Sequence, residues 1–271
     1  NGSVFASLPA DGVAVFPAGD AYTGLWQSLA LAQPGRRTLT FGEGGDVRCA
    51  RAAWERGAWA VAMATPRGEV ATRLHIAGRH NVTNALAATA CALAAGAPLA
   101  AIAQGLRDFT PVKGRSRAFS VAVAGREVTV VDDTYNANPD SMRAAIEVLA
   151  ELPGPQLLVM GDMGEVGDQG PAFHLEVLRH AFARGIEEVR VSGGLMADAT
   201  TALQAAGEPA PTCVAAVPAL AADVAAEVAT GAVGSVLVKG SRFMRMERVV
   251  QALCALDPTQ EPKNKDKPHA A

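Results

Sequence analysis

The 271 residues suffice for one large domain or two ordinary ones, and 49 % hydrophobic against 19 % charged residues excludes a disordered chain. Lys and Arg number 24 against 27 Asp and Glu, and the resulting net charge of -3 excludes a nucleic-acid binder working through a general basic surface. Cys49, Cys91, Cys213 and Cys254 show no C-x-x-C and no metal-type spacing, so they are expected as free, mostly buried thiols of a reducing, cytoplasmic compartment.

The chain starts at Asn1 without a methionine or a signal-peptide pattern and reads as a piece of a longer protein. Gly12 to Phe16 predicts a strand, Leu25 to Leu31 a short helix, and Arg37 to Phe41 a second strand. Weaker strand patterns cover Trp59 to Ala64 and Glu69 to Ile76, around a turn at Pro66-Arg67-Gly68. The run from Ala85 to Ala103 carries no charge, but Gly96 and Pro98 break it, which predicts two helices and no membrane span. Those helices are placed at Asn81 to Ala95 and Leu99 to Phe109. Thr110 to Arg117, with its Pro, Gly and clustered charge, reads as a linker.

Beyond it, strand-like runs at 128–131, 157–160, 188–191, 213–216 and 236–238 alternate with helical stretches. Met142, Ala145, Ile146 and Leu149 share a helical stripe, as do Met246, Val249, Val250 and Leu253. Such alternation with short connections implies a parallel sheet with helices on both faces. The fold class is therefore α/β, with boundaries expected at 1–112, 113–257 and a disordered tail over 258–271.

In an open parallel sheet, ligands bind beyond the carboxyl ends of the strands. Three loops of the second domain leave strands at that edge. The first, Asp132 to Ser141, places Asn138 as a helix cap before Pro139, but capping leaves Asp132, Asp133, Tyr135 and Asn136 unexplained. The second, Gly161 to Gly167, holds three glycines with Asp162 and Glu165, suited to close backbone approach or to a carboxylate facing an amine. It is not a dinucleotide fingerprint, because it lacks the G-x-G start. The third, Lys239-Gly240-Ser241-Arg242, offers two cations and a hydroxyl before a helix, a cradle for an anion.

In the first domain, Gly78-Arg79-His80-Asn81-Val82-Thr83-Asn84 opens the alanine-rich helix. Asn81 and Asn84, three apart, could present two carboxamides on one face, and a carboxamide matches the N6/N7 edge of adenine. His80 taken singly is as well explained by a structural hydrogen bond. No G-x-x-x-x-G-K-[ST], G-x-S-x-G, H-E-x-x-H or Cys/His zinc pattern occurs in the chain.

Taken together, Gly78 to Ala88, Gly114-Arg115, Asp132 to Asn138, Gly161 to Gly167 and Lys239 to Arg242 make the chain resemble the Mur ligase family, in its dipeptide-adding branch. The Asp-Asp-Thr-Tyr-Asn-Ala-Asn-Pro string separates that branch from relatives with a His in the equivalent loop. The resemblance implies the last part of a central α/β ATPase domain, followed by a Rossmann-like C-terminal domain that closes over it. The phosphate loop, most Mg²⁺ ligands and the UDP-sugar pocket of the family would then lie ahead of Asn1, leaving this piece inactive alone.

The implied reaction is ATP-dependent ligation of D-alanyl-D-alanine to UDP-N-acetylmuramoyl-tripeptide through an acyl phosphate, in peptidoglycan precursor synthesis, by a monomer using ATP and Mg²⁺. By the same resemblance, Asn81, Asn84 and His80 belong to the adenine site, Arg115 reaches ATP and Asp133 accepts from the ribose. Tyr135, Asn136 and Asn138 line the cleft, and Lys239, Ser241 and Arg242 face the dipeptide carboxylate or the acyl phosphate. Charge alone suggests Asp162 and Glu165 for the dipeptide ammonium. The alternative is a non-catalytic nucleotide- or peptide-binding module that has lost the ATPase half.

Overall fold

A computed structural model describes residues 2–257, and the tail expected over 258–271 lies outside them. Contacts divide the chain into two units, one ending at Pro111 and the other beginning at Val112.

In the first unit, β1 (Val13–Pro17) lies parallel to β2 (Arg37–Phe41), with α1 (Thr23–Ala30) between them in sequence. β3 (Arg48–Glu55), β4 (Ala58–Thr65) and β5 (Gly68–Leu74) form an antiparallel meander, followed by α2 (His80–Ala94) and α3 (Leu99–Asp108). Trp59, Val61 and Met63 alternate along β4 and turn inward. They pack in one cluster with Val82, Ala85, Leu86, Ala90 and Leu93, the buried stripe of α2. The apolar run that raised the membrane question is split at Gly96: Gly96 N–H donates to Leu93 C=O at 3.0 Å and Ala97 N–H to Ala92 C=O at 2.9 Å, a Schellman stop. No helix among the described residues is long and apolar enough to cross a membrane.

The second unit holds β6 (Arg117–Val123), β7 (Arg126–Asp133), α4 (Pro139–Ala150), β8 (Gln156–Gly161), α5 (Gly170–Ala183) and β9 (Glu188–Ser192). It continues through α6 (Gly194–Ala205), β10 (Thr212–Cys213), α7 (Val217–Ala229), β11 (Ser235–Lys239) and α8 (Glu247–Cys254). The six strands lie in the order β10-β9-β8-β11-β7-β6, all neighbours parallel except β6 and β7. Every residue of β11 is buried, and so are five of the six in β8, as a sheet covered on both faces requires. The predicted stripes of α4 and α8 are the buried ones.

Four sequence expectations change. β3 was not foreseen, since Arg48, Cys49, Ala50 and Arg51 are all exposed and give no apolar alternation. β6 begins at Arg117, where the sequence suggested linker, and hairpins onto β7 through Ala124 and Gly125, whose φ values of 50° and 75° suit a two-residue primed turn. The strand expected over 213–216 shrinks to Thr212–Cys213 at the sheet's edge. The thiols are not mostly buried: Cys49 and Cys213 are exposed on strands that bury no residue, Cys91 is exposed and Cys254 only partly covered, both off the buried stripes of their helices.

Candidate functional site

Parallel strands send their carboxyl ends to one edge, and the strand order decides which loops meet there. β11 lies between β7 and β8, so the loop after Lys239 emerges between the loops after Asp133 and Gly161. The three polar loops singled out from the sequence are therefore brought together.

Lys239, the last residue of β11, pairs in register with Asp133, the last of β7. Its ammonium is only 3 % exposed and donates to Asp133 Oδ2 at 2.6 Å and to the Asn136 carbonyl at 2.8 Å. The other Asp133 oxygen accepts from the Ser116 N–H at 2.9 Å and its hydroxyl at 3.2 Å. A carboxylate has about four acceptor positions, so Asp133 retains about one for a ligand. Lys239 is thus turned inward onto the neighbouring loop and does not form the open cradle expected of it.

Ser241 is also buried, at the junction of all three loops. Its hydroxyl accepts from the Gly164 N–H at 2.6 Å and lies 3.4 Å from the Ala137 carbonyl, while its own N–H donates to the Asp162 carbonyl at 3.0 Å. Of the three residues expected to face an anion, only Arg242 is exposed, and its nearest acid is Glu247 at 3.9 Å.

Asp162 does not face outward as its charge suggested. Its carboxylate is buried and accepts from the Met196 N–H at 2.9 Å and the Leu195 N–H at 3.3 Å, neutralising the first turn of α6. Gly193 makes room for it, since a Cβ there would fall inside the carboxylate. Beneath the same loop, fully buried His174 accepts from the Met163 N–H at Nε2, 2.9 Å away. That contact leaves the proton on Nδ1, which donates to the Gly170 carbonyl at 2.6 Å. Glu165 is exposed in a left-handed turn, with φ 58°.

Asn138 caps α4: its side chain accepts from the Ser141 N–H at 2.8 Å, and the Ser141 hydroxyl accepts from the Asn138 N–H at 3.0 Å. Its capping role is complete within the helix. Asn136 is exposed, and its carbonyl is the Lys239 acceptor. Tyr135 is 44 % exposed and carries the Arg115 guanidinium over its ring, 4.5 Å from the centroid. The approach depends on Gly114, where a Cβ would sit 2.8 Å from the Tyr135 nitrogen.

In the first unit, Asn84 Nδ2 donates to Asn81 Oδ1 at 3.0 Å, and Asn81 Nδ2 lies 2.6 Å from the Ala77 carbonyl and 3.0 Å from His80 Nε2. The two carboxamides do share a face, with His80 and Asn84 exposed. Neither asparagine side chain caps the helix, whose N-cap position is Arg79. Among the described residues there is no group of three or more His, Cys, Asp or Glu side chains placed to hold a metal ion.

Sequence reasoning missed Ser116, His174 and Phe243. Ser116 lay hidden in a presumed linker, and a lone His in a helix announces nothing. Phe243, 63 % exposed in the turn after Ser241, resembles any apolar residue near a helix start.

Two family models match the chain: the Mur ligase middle domain over residues 2–92 and the Mur ligase, glutamate ligase domain over 114–242. UDP-N-acetylmuramoyl-tripeptide–D-alanyl-D-alanine ligase of Escherichia coli is 36 % identical over 93 % of this chain and 54 % of that protein. A crystal structure of MurF from Acinetobacter baumannii superposes with a TM-score of 0.69 at 32 % identity, covering 93 % of this chain and 54 % of that one. MurF ligase from Thermotoga maritima in complex with ADP shares the fold, with a TM-score of 0.62 at 23 % identity over 90 % of this chain and 53 % of its own. The chain spans about half the length of the curated ligase it matches.

Proposed function

The chain belongs to the Mur ligase family, and from that premise we propose that it forms part of an ATP-dependent ligase joining D-alanyl-D-alanine to UDP-N-acetylmuramoyl-tripeptide. The observation that carries this reading is the likeness to the E. coli ligase along nearly the whole chain. The Asp132–Asn138 loop adds support, because it keeps Tyr135, Asn136 and Asn138 together at the carboxyl edge of the sheet.

In this reading the carboxamides of Asn81 and Asn84, beside His80, form the adenine site of ATP, and the bond from Asn84 Nδ2 to Asn81 Oδ1 orients Asn84 so that its own carbonyl oxygen is left to accept. Arg115, with its guanidinium over the Tyr135 ring, supplies a positive charge for the phosphates. Asp133 offers its remaining acceptor position to a ribose hydroxyl. Chemistry proceeds by phosphoryl transfer to the tripeptide carboxylate, then attack of the dipeptide amine on the acyl phosphate with release of phosphate. Arg242 meets the dipeptide carboxylate, with Glu165 as the exposed acid available to its ammonium. Lys239 and Ser241 act as positioning residues: they hold the loops that carry the contacting groups.

The test is a chimera in which this chain replaces the matching part of the E. coli ligase. Folded chimera, checked by circular dichroism, is expected to consume ATP and join labelled D-alanyl-D-alanine to the UDP-linked tripeptide. A folded chimera that binds ATP and forms no product would overturn the reading.

A further inference from the structure

The turn that follows Ser241 holds an aromatic ring that the loop bonding above does not use. Phe243 lies between Arg242 and Met244 in a 3-10 turn closed by Arg245 in the left-handed conformation, φ 54°. The turn is anchored on both sides of the ring. Ser241 is buried ahead of it, and behind it Met244 and Met246 press on the bare backbone of Gly161, where a Cβ would meet Met246 Sδ at 2.9 Å and Met244 Cγ at 3.2 Å. Phe243 is left 63 % exposed. Its ring edge rests over Gly164, where a Cβ would stand 3.0 Å from Phe243 Cε1. An exposed ring is unremarkable when it is free to move. This one is seated on a glycine, on a turn pinned at both ends, and directly follows the exposed Arg242 in the chain.

A ring and a guanidinium on consecutive residues match a small molecule that carries an alkyl group and a carboxylate on one carbon. We propose that Phe243 is a specificity-determining residue for the C-terminal residue of the incoming dipeptide: the ring covers its methyl group while Arg242 pairs with its carboxylate. The inference rests on the reading of the site given above and adds to it the position that selects the side chain. Burying one methyl group against the ring favours D-alanyl-D-alanine over D-alanyl-glycine by about fourfold. Losing the guanidinium weakens both dipeptides alike and leaves their ratio unchanged.

The test titrates each dipeptide into the 271-residue chain, labelled with ¹³C in its phenylalanine rings, and follows the ring resonances by NMR. The wild-type chain is expected to bind D-alanyl-D-alanine about fourfold more tightly than D-alanyl-glycine, with the Phe243 resonances moving. Phe243→Ala is expected to bring the ratio to about one, and Gly164→Ala, which pushes the ring aside without removing it, to an intermediate value. Arg242→Gln is expected to lower both affinities and keep the ratio. A ratio unchanged in Phe243→Ala, with the fold intact by circular dichroism, overturns the inference. So does the absence of any response to either dipeptide. An active chimera beside either result leaves the ligase reading standing, whereas a folded chimera that binds ATP without forming product removes the reading itself.

Discussion

The Lys239 ammonium meets the Asp133 carboxylate at 2.6 Å across the last register pair of two neighbouring parallel strands. Their separation of 106 residues in sequence makes this pair a long-range tie between the carboxyl ends of β11 and β7. Both groups are largely out of water, where leaving either without its partner is costly. Lys239→Met is expected to cost the second unit about 3–5 kcal/mol, because it leaves a covered carboxylate and the Asn136 carbonyl without their donor. Urea unfolding measures it. Lys239→Met combined with Asp133→Asn should recover part of that loss, and a double variant as unstable as the sum of the singles would exclude the coupling.

Ser241→Ala removes the acceptor of the Gly164 N–H. The expected loss is about 1–2 kcal/mol, with faster hydrogen exchange at Gly164 and unchanged exchange in the strands. Exchange at Gly164 as slow as in the parent chain would mean that the hydroxyl does not hold the loop.

Buried His174 serves two backbone groups at once, the Met163 N–H and the Gly170 carbonyl. His174→Ala leaves both without a partner in a closed interior, at about 1–3 kcal/mol for each. A thermal midpoint within a degree of the parent would contradict this account.

Asn138→Ala tests the cap by itself. Loss of the side-chain acceptor of the Ser141 N–H, with the backbone bond from the Asn138 N–H to the Ser141 hydroxyl retained, is expected to destabilise α4 by about 1 kcal/mol. Because the capping geometry is complete within the helix, dipeptide affinity should change less than in Arg242→Gln. A larger fall in affinity than in Arg242→Gln would assign Asn138 a direct contact.

Although Cys213 is exposed, partial desolvation by its surroundings pushes its thiol up from the ordinary value, and the nearby charge of Asp162 adds to the shift. The folded protein therefore favours the protonated thiol. That contribution to stability is complete below the thiol's unfolded pKa and is lost as pH rises through the folded one. Iodoacetamide at pH 8 should modify Cys213 several-fold more slowly in the folded chain than in urea. Equal rates in the two states would exclude the shift.

How much of this was legible in the sequence depended on how local each signal was. The stripes of α4 and α8 and the Asn138-Pro139 cap announce themselves over a few residues, and all three are in place. Glycine and polar residues directly after apolar strands likewise marked the edge where Asp133, Gly161 and Lys239 meet. The direction of the side chains was not legible. That Lys239 turns inward depends on β11 lying beside β7, and nothing within Lys239-Gly240-Ser241-Arg242 reveals its neighbour in the sheet. Asp162 misled for the same reason, since its partners are the first amides of α6, more than 30 residues on. β3 stayed hidden because its first four residues are exposed, so the period-two signal of a half-buried strand is missing.

The place of β11 in the sheet also sets an order of assembly. The strand that separates β7 from β8 is, among the described residues, the last to leave the ribosome, so until Ser235–Lys239 emerges those two strands face a gap with unpaired backbone on either side. Helices α4 to α7 can be made beforehand, but the sheet they cover is closed only by this final insertion. Translation that stops before Ser235 therefore yields a nascent chain with two sticky edges at its centre, a substrate for chaperones and proteases, not a shortened but serviceable domain.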